Sequence, residues 1–312
     1  MKGIIQNLTK LEELVLDGVN MSTLAPGHLT NLTSSLMLLS LGNCRLQGSF
    51  PENIFHRPNL HALKLQGNDY LKCNFSKVDG SSSLRYLDVS YTSFSEKLPS
   101  TIGNLKLLSH LKMAECNFIG PVPMSIGNLT QLSYLDLGDN NLSGHVPSFL
   151  SNLEQLIVLD LSLNNFSGEI SDIFINLTQL SSLDLSYNRL SGPIPDIFIS
   201  LTQLSSLDLS GNSLSGPIPS GVGGLRNLAS VSLQTNSLNG TIPSELFNLP
   251  SLEIISLGGG IEQLQWKDLQ HLNLHSNLLQ GLLSAVVLPP LLLFFIISDI
   301  NMTGTIPSSF AI

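Results

Sequence analysis

The chain has 312 residues, of which 42% are apolar and 12% charged, against roughly 25% charged in an ordinary soluble domain. Its formal net charge is −9 and it has no run of Lys and Arg; such a chain repels phosphate backbones, which excludes nucleic acid as a partner. Cys44, Cys73 and Cys116 have neither CxxC spacing nor a paired framework, so they leave the redox compartment open.

At the N-terminus, MKGIIQNLTKLEEL holds one Lys and then only Gly-Ile-Ile before polar residues, too little for the apolar region of a signal peptide. From there one template, LxxLxLxxNxLxGxIP, recurs to the end. It starts at Leu11, Leu36, Leu60, Leu84, Leu108, Leu132, Leu156, Leu180, Leu204, Leu228, Leu252, Leu269 and Leu292. The spacings are 25, then nine of 24, then 17 and 23. A fixed period of this length is the mark of a solenoid. One copy cannot bury enough apolar surface to offset the ordering of its own backbone, so stability must come from stacking copies.

Within each copy, alternation such as Leu183, Asp184, Leu185 predicts a short strand with leucines on one side and a polar residue on the other. Strands of successive copies should stack in parallel at about 4.8 Å. The following Asn, at Asn68, Asn140, Asn164, Asn188, Asn212, Asn236 and Asn277, is expected to form a structural ladder, its amide satisfying backbone groups of neighbouring turns. Cys44 and Cys116 hold the same position three copies apart, roughly 14 Å by strand spacing and too far for a disulfide. They are read, with Thr92, as small buried stand-ins for Asn. Gly192, Pro193 and Pro195 in SGPIP predict a turn and an extended return path, which argues against a regular helix on the outer side. The expected fold is an α/β-type solenoid, mostly β and irregular, forming a single domain over residues 1–312.

Towards the C-terminus the unit at 252–268 is irregular, with GGG at 258–260 where the Asn should fall and seven residues missing before Leu269. Local irregularity is expected around Ile261 to Asp268, including Trp266. The apolar stretch from Leu282 to Ile297 is shorter than the roughly 20 residues of a spanning helix and is broken by Pro289 and Pro290. Leu292, Phe295, Ile297, Met302, Gly304, Ile306 and Pro307 also fit the template, so the stretch is read as core, with no membrane insertion by this segment.

The LxGxIP ending at 190–195, 214–219 and 238–243 resembles the plant-specific class of leucine-rich repeats. NLTKLEELVLDGVNMS, CRLQGSFPENIF, LPSTIGNLKLLSHLKMAECNFIGPVP and PSELFNLPSLE are similar to the ectodomains of plant receptor-like proteins, the kinase-less receptors of disease resistance. This resemblance implies a right-handed, twisted solenoid on the extracellular side of the plasma membrane, binding a peptide or protein ligand or a co-receptor. Both ends fall inside a repeat, so the chain is expected to be a fragment of a longer protein. A secreted inhibitor of cell-wall-degrading hydrolases, or a piece of a receptor kinase ectodomain, remain open alternatives.

No enzyme motif is found and no cofactor is expected. GVGG at 221–224 lacks the third glycine of a dinucleotide site, and His271 and His275 lie on and just after a strand, where they read as surface residues rather than metal ligands. The residues between strand leucines carry no packing duty. Most are Ser and Asp, with Asp88, Asp136, Asp160, Asp184 and Asp208 in one column. The units from Leu60 to Leu137 instead expose His61, Lys64, Arg85, Tyr86, Tyr91, His110, Lys112, Glu115, Tyr134 and Asp136. Tyr and Arg are favoured interface anchors, so these residues are the candidate ligand-binding patch on the concave face. Sequons stand at Asn7, Asn20, Asn31, Asn74, Asn128, Asn141, Asn165, Asn176, Asn239 and Asn301, as suits a secreted surface poor in charge.

Overall fold

The structure, a computed structural model, describes residues 9–73, 75, 78–93, 96–170, 172–240, 242–257, 270–273 and 292–296. The irregular segment around Trp266, the ladder residue Asn277, His275, and most of the apolar stretch from Leu282 lie outside the described residues. The chain divides into two compact units, residues 1–143 with 152–156, and residues 144–151 with 157–312.

In the first unit, three-residue strands at Glu13–Val15, Leu38–Ser40, Ala62–Lys64, Tyr86–Asp88, His110–Lys112 and Tyr134–Asp136 pair in parallel in chain order. In the second, the strands are Val158–Asp160, Ser182–Asp184, Ser206–Asp208, Ser230–Ser232, Ile254–Ser256, His271–Asn273 and Phe294–Ile296, again parallel and in chain order. Every strand begins two residues after a template leucine, so the 17- and 23-residue spacings do not shift the register. Leu39, Leu63, Leu87, Leu111 and Leu135 are mutual partners, and so are Leu159, Leu183, Leu207, Val231, Ile255 and Leu272. A slip of one residue would turn each of these apolar side chains outward.

The core is the repeated interior of this coil. In the copy that starts at Leu180, the side chains of Leu180, Leu183, Leu185, Leu190, Ile194, Phe198 and Leu201 are all buried. Phe174 and Phe198 extend the contact from one copy to the next, with ring centroids 5.8 Å apart. The fold is a mostly-β leucine-rich repeat solenoid.

Two features of the return path go beyond the sequence reading. The segment after the ladder position is itself a strand: Asn165–Glu169, Arg189–Gly192, Ser213–Gly216 and Ser237–Leu238 form a second parallel sheet in the second unit. In the first unit Gln47–Phe50 pairs with Tyr70–Cys73, and Ile119 and Gly120 pair with Asn141 and Leu142. Arg189–Gly192 and Ser213–Gly216 end on a glycine, and Gly192 turns the chain at φ 78°; an added Cβ there would also lie 2.7 Å from Glu169 Cγ. The outer side then carries 3-10 helices of five residues, for example Ser100–Asn104, Asp196–Ser200 and Ser220–Gly224. Each follows a proline in extended conformation, Pro99, Pro195 and Pro219. The prediction against a regular helix therefore meets a single tight turn, closed by bonds such as Ile102 N–H to Pro99 O at 3.1 Å. Among the described residues no α-helix occurs and no helix is long and apolar enough to cross a membrane.

The ladder position ties copies together. Asn188 Nδ2 donates to the carbonyls of Leu161, Leu185 and Ser186, and its Oδ1 accepts from Phe166 N at 2.9 Å. Asn140 donates to Met113, Leu137 and Gly138 and accepts from Cys116 N and Phe118 N. Asn68, Asn164, Asn212 and Asn236 make the same kind of bonds to backbone carbonyls. Where Asn is replaced, Cys44 Sγ donates to Leu16 O, Cys116 Sγ to Val89 O and Thr92 Oγ1 to Val89 O. Burial raises the pKa of both thiols, that of Cys116 to about 12.

Candidate recognition face

The outward side chains of the first unit's strands form columns, because parallel strands in register set equivalent residues side by side. Ala62, Tyr86, His110 and Tyr134 occupy one column, and Lys64, Asp88, Lys112 and Asp136 the other. The template spacing of 24 residues thus becomes a contact distance. Tyr86 and His110 stack with ring centroids 5.3 Å apart, and His110 and Tyr134 at 5.9 Å with their planes inclined by 10°. Lys64 Nζ lies 5.1 Å from the centre of the Tyr86 ring, and Lys112 Nζ 4.5 Å from that of Tyr134. Both distances are within the range of cation–π attraction.

The carboxylates in the second column are drawn aside by backbone. Asp88 is buried and accepts from Ser90 N at 3.1 Å, while Asp136 accepts from Gly138 N at 3.0 Å. His110 Nδ1 lies 3.0 Å from Ser109 Oγ. Partial burial, aided by Lys112, lowers the His110 pKa, and partial burial, aided by Asp88, raises that of Tyr86.

Of the candidate residues, Lys64, Tyr86, His110, Lys112 and Tyr134 are brought into one contiguous strip, with Asp136 in register beside Lys112. His61 and Arg85 flank it, one residue before their strands, Arg85 being exposed. Tyr91 and Glu115 are set apart. They belong to the residue just before the ladder position, which is left-handed along the coil: φ is 58° at Tyr91, 51° at Glu115, 48° at Asp139 and 51° at Leu163. Both are exposed, and Glu115 lines an open cleft of about 600 Å³ with Asn117, Ile119, Asp139, Asn140 and Asn141.

Sequence reasoning missed Ser109, which orients the histidine. A serine next to a strand is too common in this chain to signal such a role.

In the second unit the same columns read differently. Val158, Ser182, Ser206 and Ser230 replace the rings, and Asp160, Asp184 and Asp208 lie side by side in the other column. Burial raises the Asp184 pKa to about 6 despite hydrogen bonds from Ser186, and Asp160 and Asp208 add to the rise. Further along, His271 stacks on Phe294 at 4.8 Å. Among the described residues no cluster of His, Cys, Asp or Glu could hold a metal ion. GVGG at 221–224 lies in the 3-10 helix Ser220–Gly224, and a Cβ on Gly223 would fall 2.6 Å from Glu245 Cβ and one on Gly224 2.7 Å from Ile199 Cγ1, so these two glycines serve close packing. Among the sequons, Asn20, Asn128, Asn141, Asn176 and Asn239 are exposed and Asn165 is half-buried; Asn7, Asn74 and Asn301 lie outside the described residues.

A family model for the leucine-rich repeat region matches residues 53–192, and one for the leucine rich repeat matches residues 203–225, together more than half of the chain. Among curated proteins, the chain is 36% identical over 107 residues to receptor-like protein Cf-9 of Solanum pimpinellifolium, a match covering 34% of this chain and 12% of that protein. It is 35% identical over 107 residues to receptor-like protein 6 of Arabidopsis thaliana, covering 34% of this chain and 11% of that protein. The matched region is thus about an eighth or less of these relatives' length. Among solved structures, the Arabidopsis receptor kinase HAESA ectodomain in complex with an IDA peptide hormone ligand superposes with a TM-score of 0.76 at 31% identity, over 88% of this chain and 48% of that one. The plant peptide hormone receptor RGFR1 in complex with RGF2 superposes with a TM-score of 0.65 at 26% identity, over 96% and 64%. With its register, its Asn ladder and its LxGxIP turns, the chain belongs to the leucine-rich repeat proteins and resembles the ectodomains of plant receptor-like proteins.

Proposed function

We propose that this chain is a non-catalytic recognition module of a receptor-like protein, acting on the extracellular side of the plasma membrane in plant defence or signalling. Its contact surface for a peptide or protein ligand is the strand face of the first unit, from His61 to Asp136. The observation that carries this reading is the Tyr86–His110–Tyr134 stack with Lys64 and Lys112 on the outer rings. Such side chains do nothing for the core, and rigid aromatics with few rotamers are efficient anchors. The related HAESA and RGFR1 structures hold peptide hormones, and HAESA has also been solved with the co-receptor SERK1; a peptide ligand and a co-receptor are accordingly the proposed partners.

A second reading, a secreted inhibitor of cell-wall-degrading hydrolases, is favoured by the acidic column Asp160, Asp184 and Asp208. Affinity capture of apoplastic peptides separates the two. Wild-type chain should retain peptides that Tyr86→Ala combined with Lys112→Glu does not, with affinity reduced about tenfold or more. Equal retention by the two would sink the assignment of the face. Hydrolase inhibition lost in Asp184→Asn would establish the second reading.

A further inference from the structure

Ser109 sets the chemistry of the ring strip. Its hydroxyl lies 2.9 Å from the Arg85 carbonyl oxygen, an atom with no hydrogen, so the hydroxyl proton is directed there. The same Oγ lies 3.0 Å from His110 Nδ1 and has only acceptor capacity left to offer. The proton of the neutral imidazole therefore belongs on Nδ1, and Nε2 keeps a lone pair. Partial burial and the neighbouring Lys112 favour that neutral form. His110 is thus an acceptor placed between two phenol rings.

On either side of this acceptor lies a cation. The ammonium groups of Lys64 and Lys112 rest on the Tyr86 and Tyr134 rings. The nearest carboxylates of the column, Asp88 and Asp136, are engaged by the backbone amides of Ser90 and Gly138. A cation over a ring face can still direct N–H bonds to an incoming anion. Lys64 and Lys112 are two strand intervals apart in register, roughly 9.5 Å by strand spacing. An extended peptide advances about 3.3 Å per residue, so three residues span that interval, and the flexible lysines accommodate about two to four.

We propose that the strip reads an extended acidic peptide, with two carboxylates meeting Lys64 and Lys112 and a peptide N–H between them donating to His110 Nε2. This deepens the reading of the first unit's strand face as the contact surface and rests on it. Charge complementarity selects the occupant: the first unit sets Lys64 and Lys112 in this column, whereas the equivalent positions of the second unit hold Asp160, Asp184 and Asp208 and offer no cation to a carboxylate.

The test is panning of a phage-displayed random dodecapeptide library against the immobilised full chain, followed by fluorescence polarisation of the enriched peptides. Enriched sequences should carry paired Asp or Glu about two to four residues apart, as the spacing requires. Their affinity should fall about tenfold or more in the double variant K64Q/K112Q and recover in K64R/K112R, and fall about fivefold in His110→Phe, which keeps a ring but removes the acceptor. Circular dichroism of each variant checks that the solenoid is intact. No enrichment, or enriched peptides without acidic pairs, overturns the proposal. If binding is lost in Tyr86→Ala but unchanged in K64Q/K112Q, the acidic class is wrong and the contact surface stands. If neither variant weakens binding, both are wrong.

Discussion

The strand faces of the two units are built on one frame and finished with opposite chemistry. In the first, Tyr86, His110 and Tyr134 stack beneath two lysines; in the second, Ser182, Ser206 and Ser230 lie beside three aspartates. From Leu36 onward the inward strand leucines of the first unit, such as Leu39, Leu63 and Leu111, are buried as fully as Leu159, Leu183 and Leu207 of the second. The lesson is that a solenoid separates its duties by side-chain direction. Inward positions must stay apolar and ladder positions must keep a side chain that bonds the backbone, as Cys44, Thr92 and Cys116 do in place of Asn. Outward positions are free to specialise, and a 24-residue step turns any choice there into a continuous column.

The largest expected effect tests whether the frame really is common. Asn140→Ala in the first unit and Asn188→Ala in the second each remove an amide that makes several bonds to the backbone. Each should cost roughly 2–4 kcal/mol in guanidinium denaturation, since backbone groups are left without partners. A loss confined to one unit would break the comparison.

The next effect concerns the acidic face. The Asp184 pKa is raised to about 6 in the folded chain, against about 3.9 when unfolded. The folded state therefore binds more protons than the unfolded state between those values. Stability contributed by the protonated form is present at low pH and falls as pH rises from about 4 to about 6. Asp184→Asn should flatten this slope and stabilise the chain at pH 7 by roughly 1 kcal/mol, a figure reduced for partial solvent screening. Denaturation midpoints compared at pH 4 and pH 7 measure it; an unchanged slope would show that burying the Asp184 carboxylate carries no cost.

The smallest effect is a silence in the first unit. With its thiol buried and its pKa raised to about 12, Cys116 should resist iodoacetamide under native conditions and react only after denaturation, as mass spectrometry of labelled protein would show. Rapid native labelling would mean that this ladder position opens to solvent.

Much of this was readable in advance for a physical reason. Leu180, Leu183 and Leu185 specify which side faces inward, and the 24-residue period specifies which residues become neighbours, so the strand after each template leucine and the column of Tyr86, His110 and Tyr134 followed from spacing. The second sheet did not. RLSG and SLSG carry little strand propensity, and they are strands only because Gly168 and Leu190, or Gly192 and Leu214, are set in register by the rest of the coil. Tyr91 and Glu115 looked equivalent to the strip residues, yet their backbone turns left-handed and carries them out of it.

The sequence by itself determined the repeat, the inward face and the membership of each outward column, because these depend on periodicity and hydrophobicity alone. Only the tertiary structure decided how the columns are used. Lysine placement over the tyrosine rings, the Ser109 bond that orients His110 and the burial that raises the Asp184 pKa each depend on rotamers and neighbours one turn away, which linear spacing does not encode.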